Sequence, residues 1–215
     1  MSKDFTADVR AKYEQKADGY DKMMAPMERM MMAKWRMELC SRARGLVLEA
    51  GVGTGANLTY YKNVDKVIGV DFSPTMLEYA RKRAEQAQVP IELMEEDIED
   101  LPFADDTFDT VITACVFCSV PDAVQGFKEL NRVIKPEGRL YFLEHVRSKG
   151  FVLGPMMDLI NPLTVKMSGV NINRRTEETI AKAGLRIVKV DNLFGDIVKL
   201  ITAARNNTEP GTNSK

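Results

Sequence analysis

Leu46-Val47-Leu48-Glu49-Ala50-Gly51-Val52-Gly53-Thr54-Gly55 runs from a segment typical of a buried strand into three glycines at alternate positions. Glycine accepts backbone dihedrals that other residues avoid, and it has no Cβ to keep a ligand away from the backbone. The stretch therefore predicts a strand, a tight turn and then a helix over residues 56–62. The unpaired N–H groups of such a helix would face a ligand. A tight turn that binds nothing remains an alternative for this loop alone.

A second strand pattern, Lys66–Asp71, ends in an acid twenty residues after Gly51. Nucleotide-binding α/β folds place a carboxylate at this spacing to bind the hydroxyls of a ribose. The glycines also fit the fingerprint of dinucleotide-binding dehydrogenases. That alternative needs a second catalytic region, which a chain of 215 residues does not obviously contain.

Three motifs together resemble the class I S-adenosylmethionine-dependent methyltransferases. They are Glu49 to Gly55, the run from Gly69 to Met76 that contains Asp71, and Glu96-Asp97 followed by Leu101-Pro102-Phe103. Their order and spacing suit the family over residues 40–205, and they look most like its quinone, phospholipid and small-thiol branch. The acidic-proline-proline-tyrosine signature of relatives that methylate nucleic-acid amino groups is replaced here by Ala114-Cys115-Val116-Phe117.

The composition of the chain limits the classes of protein and the kinds of partner that the sequence suits. The chain has 45% hydrophobic and 28% charged residues, which is ordinary for one globular domain, and its formal net charge of −1 gives no reason to expect a nucleic acid as partner. Three cysteines favour free thiols over a disulfide framework or a metal site, although Cys115 and Cys118 have the spacing of a redox or zinc pair. We find neither a secretory core nor a membrane span and therefore expect a cytoplasmic protein.

Strand and helix patterns alternate through the middle of the chain. They predict a doubly wound α/β fold with a mostly parallel sheet and helices on both faces. The resemblance implies seven strands in a Rossmann-like arrangement, closed by an antiparallel C-terminal hairpin. Ligands of such sheets bind outside the carboxyl ends of the strands. We expect the domain at residues 45–205, a helical lid at 1–44 and a polar tail at 206–215.

Two segments flank the expected site. Residues 23–44 hold seven methionines around Trp35 with several basic residues. This segment is interpreted either as core or as a lid that contacts apolar ligands or a membrane. Residues 147–175 break the alternation and are expected to cover the substrate. An amphipathic acceptor and an anionic membrane surface are the partners that such segments suit, and the sequence does not indicate an oligomeric state.

The resemblance implies roles for individual residues. Those expected to bind S-adenosylmethionine are Glu49, Gly51, Gly53, Gly55, Asp71, Phe72, Met76, Asp97, Ile98 and Cys115. His145, the only histidine, and Tyr20 are the catalytic candidates, since imidazole can take a proton near neutral pH. Arg147, Arg174 and Arg175 are the candidates for binding the acceptor. The alternative for His145 is a structural role.

The sequence thus predicts a methyltransferase that acts on an amphipathic small molecule, with the amine of phosphatidylethanolamine as the first candidate. A quinol carbon and an alkyl thiol are the other acceptors considered. A non-catalytic module that binds the cofactor is the alternative from another class of protein.

Overall fold

The computed structural model describes residues 31–206, which contain one seven-stranded sheet. Its strands are β1 (Leu46–Ala50), β2 (Lys66–Asp71), β3 (Ile91–Glu95), β4 (Phe108–Ala114), β5 (Ile134–His145), β6 (Leu185–Phe194) and β7 (Val198–Arg205). They lie in the order β3-β2-β1-β4-β5-β7-β6. The first five are parallel, whereas β7 pairs antiparallel with both β5 and β6. The predicted fold class, including the C-terminal hairpin, is confirmed.

Five α-helices accompany the sheet in the described residues: α1 (Ala33–Ser41), α2 (Pro74–Ala84), α3 (Ala123–Val133), α4 (Leu153–Ser168) and α5 (Thr176–Lys182). The hydroxyl of Ser73 accepts the N–H of Met76, and Pro74 occupies the first position of α2, as its sequence predicts. The side chain of Asp122 caps α3 in the same way. These caps fix where each helix leaves the edge of the sheet.

The core consists of two clusters, one on each face of the sheet. Phe127 of α3 and Ile180 of α5 pack on one face, while Leu39 of α1 and Leu77 of α2 pack on the other. Helix α1 is therefore anchored in the domain, and Leu39 is fully buried. Residues 1–30 of the expected lid lie outside the described residues, as do residues 207–215.

Two local predictions need correction. Residues 56–62 do not form the expected helix, because the chain makes successive turns and only a short 3-10 helix at Leu58–Tyr60. In β5 the sequence predicts a turn before Arg139, but the strand begins at Ile134. Its pairing with β4 jumps from Phe108–Ile134 to Thr110–Arg139, so residues 135–138 form an irregularity within the strand.

The segment at residues 147–175 is more regular than expected, because α4 occupies 16 of its residues. None of the helices within residues 31–206 is long and apolar enough to cross a membrane.

Candidate active site

A pocket opens at the carboxyl ends of β1, β2 and β4. It is lined by nine of the predicted cofactor-binding residues: Glu49, Gly51, Gly53, Asp71, Phe72, Met76, Asp97, Ile98 and Cys115. Strand ends meet at this edge because the strands are parallel, so residues far apart in sequence converge there. The other polar or charged residues of the lining, among those that the structure describes, are Arg36, Thr54, Asn57, Glu96 and Ser119.

The glycine loop follows β1 directly, and its glycines differ in what surrounds them. Gly51 has a φ of 73°, and a Cβ there would lie 2.5 Å from a side-chain carbon of Val116. Gly53 has a φ of 55°, and a Cβ there would meet nothing within 4 Å. Gly53 therefore leaves open space in the pocket, whereas Gly51 permits close packing of two loops. Gly55 does not line the pocket, and a Cβ there would lie 2.8 Å from a side-chain carbon of Leu58 and 3.0 Å from the Cα of Ala80.

Asp71 ends β2 and holds the glycine loop in place. One carboxylate oxygen accepts the N–H of Gly53 at 2.8 Å, and the other accepts the N–H of Ser73 at 3.0 Å. Burial raises the pKa of Asp71 to about 6, against the effect of these two hydrogen bonds. Each oxygen retains a lone pair for a further donor, such as a ribose hydroxyl.

Glu49 lies at the centre of a buried network beneath the loop. Asn57 and Tyr61 each donate to one of its carboxylate oxygens at 2.8 Å. Arg36 of α1 donates to the side-chain oxygen of Asn57, also at 2.8 Å. Because Glu49 is removed from water, its pKa is raised to about 7. The network brings a cation, an amide and a carboxylate to one end of the pocket.

Asp97 lines the pocket after β3, and its side chain accepts the N–H of Glu99 at 2.9 Å. The adjacent Ile98 is almost fully buried, and so is Met76 on α2. These residues offer an apolar group with a polar edge the contacts of Met76 and Ile98 together with the carboxylate of Asp97.

The predicted catalytic and acceptor-binding residues that the structure describes do not line the pocket. His145 ends β5, is half-buried and does not line the pocket; burial lowers the pKa of its imidazole. Arg147 is paired with Asp158, and Arg175 with Glu178. The guanidinium of Arg174 turns into the domain and donates to the carbonyl of Val120 at 2.6 Å. Tyr20 lies outside the described residues.

Comparison with known proteins agrees with this geometry. Residues 48–142 match a family model described as a methyltransferase domain. A demethylmenaquinone methyltransferase of Lysinibacillus sphaericus is 32% identical over 157 residues, which cover 69% of this chain and 67% of that protein. The chain belongs to the class I S-adenosylmethionine-dependent methyltransferases.

Among other methyltransferases, a phosphatidylethanolamine N-methyltransferase of Cereibacter sphaeroides is 39% identical over 109 residues, which cover 49% of this chain. The chain spans about half the length of that relative, since the match covers 54% of it. A solved complex of DhpI with SAH shares the fold, with a TM-score of 0.72 and 20% identity over 96% of this chain and all of that chain.

The pocket residues fit the cofactor of this methyltransferase family. S-adenosylmethionine carries an ammonium and a sulfonium, a single carboxylate and a nucleoside. Within residues 31–206, the charged side chains of the lining are four acids, Glu49, Asp71, Glu96 and Asp97, and one arginine, Arg36. Such a lining favours a cationic ligand with one carboxylate over a dinucleotide, whose pyrophosphate is anionic. The dehydrogenase alternative is thus disfavoured by both the family and the charges.

Sequence reasoning missed Arg36, Asn57 and Tyr61 as parts of the site. Asn57 and Tyr61 follow the glycine loop four residues apart, a spacing that could have marked them as neighbours. Arg36 lies in the methionine-rich segment, where it was one of several basic residues. Only the packing of α1 against the sheet brings it to the pocket.

Proposed function

We propose that the protein transfers a methyl group from S-adenosylmethionine to an amphipathic acceptor, with the amine of phosphatidylethanolamine as the first candidate. We infer an amphipathic acceptor from the apolar outer face of α4. This helix belongs to the segment that joins β5 to α5. Asn171 and Arg174 of this segment donate hydrogen bonds to a loop after β4 that lines the cofactor pocket. The relatedness to a phosphatidylethanolamine N-methyltransferase supports the same choice.

The cofactor would be held by residues whose chemistry matches its parts. Asp71 would accept the ribose hydroxyls, and Asp97 the amino group of the adenine, whose ring would pack on Phe72, Met76 and Ile98. Gly51 and Gly53 would let the amino-acid end approach the backbone, while Gly55 would support the loop from behind. Glu49 would face the ammonium through its network, and Arg36 would face the carboxylate. Cys115 would lie near the reacting end.

The outer face of α4 is unusually apolar. Eight of the eleven exposed large apolar side chains in residues 31–206 lie between residues 151 and 167. Leu159 is 82% exposed, Met167 68% and Leu163 58%, and all three lie on the helix. The helix contains only two charged residues, Asp158 and Lys166, and Asp158 is paired with Arg147. A helix of this kind suits contact with acyl chains.

Basic residues near this face would suit lipid phosphates. Between residues 147 and 182 the chain carries Arg147, Lys149, Lys166, Arg174, Arg175 and Lys182 against Asp158, Glu177 and Glu178. Because Arg174 turns into the domain, five basic residues stand against three acids, and this excess of two positive charges favours an anionic surface. We propose that Arg175 and Lys166 lie toward the headgroups, with the protein at the inner face of the cytoplasmic membrane. Arg174 points away from that surface and is given another role below.

When bound, S-adenosylmethionine would supply a methyl group on a sulfonium, whose sulfur is released as a neutral thioether while the acceptor forms its bond to the methyl carbon. The residues of the chain therefore need to align the acceptor and remove its proton. A protonated headgroup amine must lose a proton before its nitrogen can form the new bond to the methyl carbon. His145 is the proposed acceptor of that proton, since its lowered pKa keeps the imidazole neutral near pH 7. Tyr20 remains a candidate for aligning the acceptor.

The deciding experiment incubates the protein and labelled S-adenosylmethionine with phosphatidylethanolamine vesicles, a demethylated quinol or an alkyl thiol. Transfer to the phospholipid amine is the expected result. A demethylated quinol is the second candidate, because of the demethylmenaquinone relative. Transfer only to a quinol or a thiol would reject the phospholipid proposal. Tight cofactor binding without any transfer would favour a non-catalytic module.

Replacing His145 with Ala tests the proposed base. Turnover should fall by about 10² to 10⁴, with the affinity for S-adenosylhomocysteine nearly unchanged. His145→Gln serves as the control, since it keeps a polar side chain that cannot take the proton. A loss of less than threefold in both variants would give His145 a structural role.

A further inference from the structure

The loop between β4 and α3, residues 115–121, forms one wall of the pocket. It contributes five lining residues: Cys115, Val116, Ser119, Val120 and Pro121. Cys115 has a φ of 59°, an uncommon backbone conformation for a residue other than glycine. Such a conformation persists only where the surroundings enforce it. The contacts that hold this wall therefore bear on cofactor binding.

Glu144 holds the loop from the end of β5. Its side chain is fully buried, and one carboxylate oxygen faces three donors. These are the hydroxyl of Thr113 at 2.9 Å and the backbone N–H groups of Val116 at 3.2 Å and Phe117 at 3.4 Å. Consecutive N–H groups that converge on one anion fix the path of the backbone. Glu144 thus acts on the pocket from behind, without lining it.

A second anchor comes from the segment that follows α4. The backbone N–H and the side-chain amide of Asn171 both donate to the carbonyl of Cys118, at 2.8 and 3.1 Å. Arg174 donates to the carbonyl of Val120. Glu144 of β5 therefore binds backbone N–H groups of the loop, whereas residues in the segment at 171–174 bind its backbone carbonyls.

Both charged anchors carry a buried polar atom without a hydrogen-bond partner. Within residues 31–206 such atoms occur on Glu144, Arg174 and Asn131, and those of the first two are Oε2 and Nε. A buried polar atom without a hydrogen-bond partner lowers the stability of the fold. Apolar packing could therefore hold the loop with a smaller loss of stability. Both residues hold the same pocket wall, a position that suits a role in binding.

We propose that Glu144 and Arg174 are positioning residues, which hold the loop at residues 115–121 in its cofactor-binding shape and thereby set the affinity for S-adenosylmethionine. The inference depends on the proposed cofactor but not on the acceptor. It replaces the expectation that Arg174 binds the acceptor. It also links the segment that carries the apolar face of α4 to the cofactor pocket.

The environment of Glu144 defines how its charge behaves. Arg174 lies near it, Cys118 of the loop is a buried thiol whose pKa is raised to about 12, and Lys199 is its register partner on β7. Lys199 is bound to Glu177 of α5. Burial raises the pKa of Glu144 to about 7. A carboxylate accepts amide hydrogen bonds more strongly than the protonated acid. The hydrogen bonds that Glu144 accepts from the loop should therefore strengthen as the pH rises through 7.

The test measures the dissociation constant for S-adenosylhomocysteine by calorimetry between pH 6 and 8, together with hydrogen exchange of the loop in the free protein. Glu144→Gln preserves the size of the side chain but stays neutral at every pH. Arg174→Gln removes the cation and has Arg175→Gln, at the exposed neighbouring position, as its matched control. Both test variants should bind at least tenfold more weakly at pH 8, and Glu144→Gln should lose part of the pH dependence seen in the wild type.

Hydrogen exchange of the backbone N–H groups of residues 115–120 should accelerate in Glu144→Gln and Arg174→Gln but not in Arg175→Gln. The proposal is overturned if both test variants bind within twofold of the wild type and exchange the loop at the same rate. It is also overturned for Arg174 if that variant changes only the Michaelis constant for a phospholipid. A wild-type protein that fails to bind S-adenosylhomocysteine would instead contradict the proposed function, and the exchange rates would still test the anchoring.

Discussion

The glycine loop and helix α4 lie at the same edge of the fold but are stabilised in different ways. In the glycine loop, Asp71 and Glu49 are buried and hydrogen-bonded, and Gly51 packs tightly against Val116. Helix α4 buries Gly154 and Met157 while most of its large apolar side chains face outward. The first region is defined by contacts within the chain, whereas the second presents a surface suited to a partner. Substitutions in the two regions should therefore affect different measurements.

The largest effect is expected at Gly51. Gly51→Ala would force a left-handed conformation on alanine and bring its Cβ within 2.5 Å of Val116. These costs together should lower the free energy of unfolding by about 3 kcal/mol, which urea denaturation measures.

Gly53→Ala is the matched control for Gly51→Ala, because a Cβ at Gly53 meets nothing within 4 Å. It should cost only about 1 kcal/mol of stability while weakening S-adenosylhomocysteine binding, since the methyl group would enter the pocket. Equal loss of stability in both variants would contradict the distinction between a packing glycine and a pocket glycine.

The next effect concerns the buried carboxyl of Glu49. Its folded pKa of about 7 is raised above its ordinary value of 4.5. The folded state therefore favours the protonated form of Glu49. Protonation of Glu49 stabilises the folded state fully below pH 4.5, and this stabilisation is lost as the pH rises through 7. For Glu49 alone the loss is about 3 kcal/mol at most. Urea unfolding at several pH values should show a smaller decline from pH 4.5 to 8 in Glu49→Gln than in the wild type.

A smaller effect is expected at Asp71. Asp71→Ala should weaken S-adenosylhomocysteine binding by about 1.5 to 3 kcal/mol, the range for a hydrogen bond to a charged group. Calorimetry at pH 8 measures this change with the carboxylate ionised. Asp71→Asn keeps an acceptor for the loop and should lose less. Unchanged affinity in Asp71→Ala would remove this residue from the proposed ribose site.

Much of the fold could be predicted because local patterns dictated it. The strands alternate with helices, and Ser73-Pro74 marks the start of α2. Cofactor residues followed from motifs in which a few neighbours determine the geometry. The helix expected over residues 56–62 is replaced by turns and a short 3-10 helix, and the side chains of Asn57 and Tyr61 in this segment bind Glu49. The contacts of Asn57 and Tyr61 with Glu49 depend on how the loop folds back onto β1, which the local sequence does not reveal.

The anchors of the pocket wall were harder to predict for the same reason. Glu144 acts on backbone groups 27 and 28 residues away, and Arg174 on a carbonyl 54 residues away. The sequence marked Arg174 and Arg175 as an adjacent basic pair. The structure separates them, because only Arg174 turns inward. Adjacent positions in an irregular segment can face opposite environments, and composition does not distinguish them.

The smallest effect on folding and cofactor binding is expected on the outer face of α4. Leu159→Ser combined with Leu163→Ser changes two exposed side chains, so the free energy of unfolding should shift by no more than about 0.5 kcal/mol per site. The affinity for S-adenosylhomocysteine should stay unchanged. Binding to anionic phospholipid vesicles should nevertheless fall at least tenfold, since each buried leucine contributes about 1.5 to 3 kcal/mol of transfer free energy. Vesicle sedimentation at low and high salt measures this loss, and Val188→Ser on β6, an exposed apolar position outside α4, is the control. If the double variant still sediments like the wild type, or if sedimentation velocity shows that it has lost a dimer instead, the apolar face contacts something other than lipid. A small water-soluble acceptor would then be the better candidate.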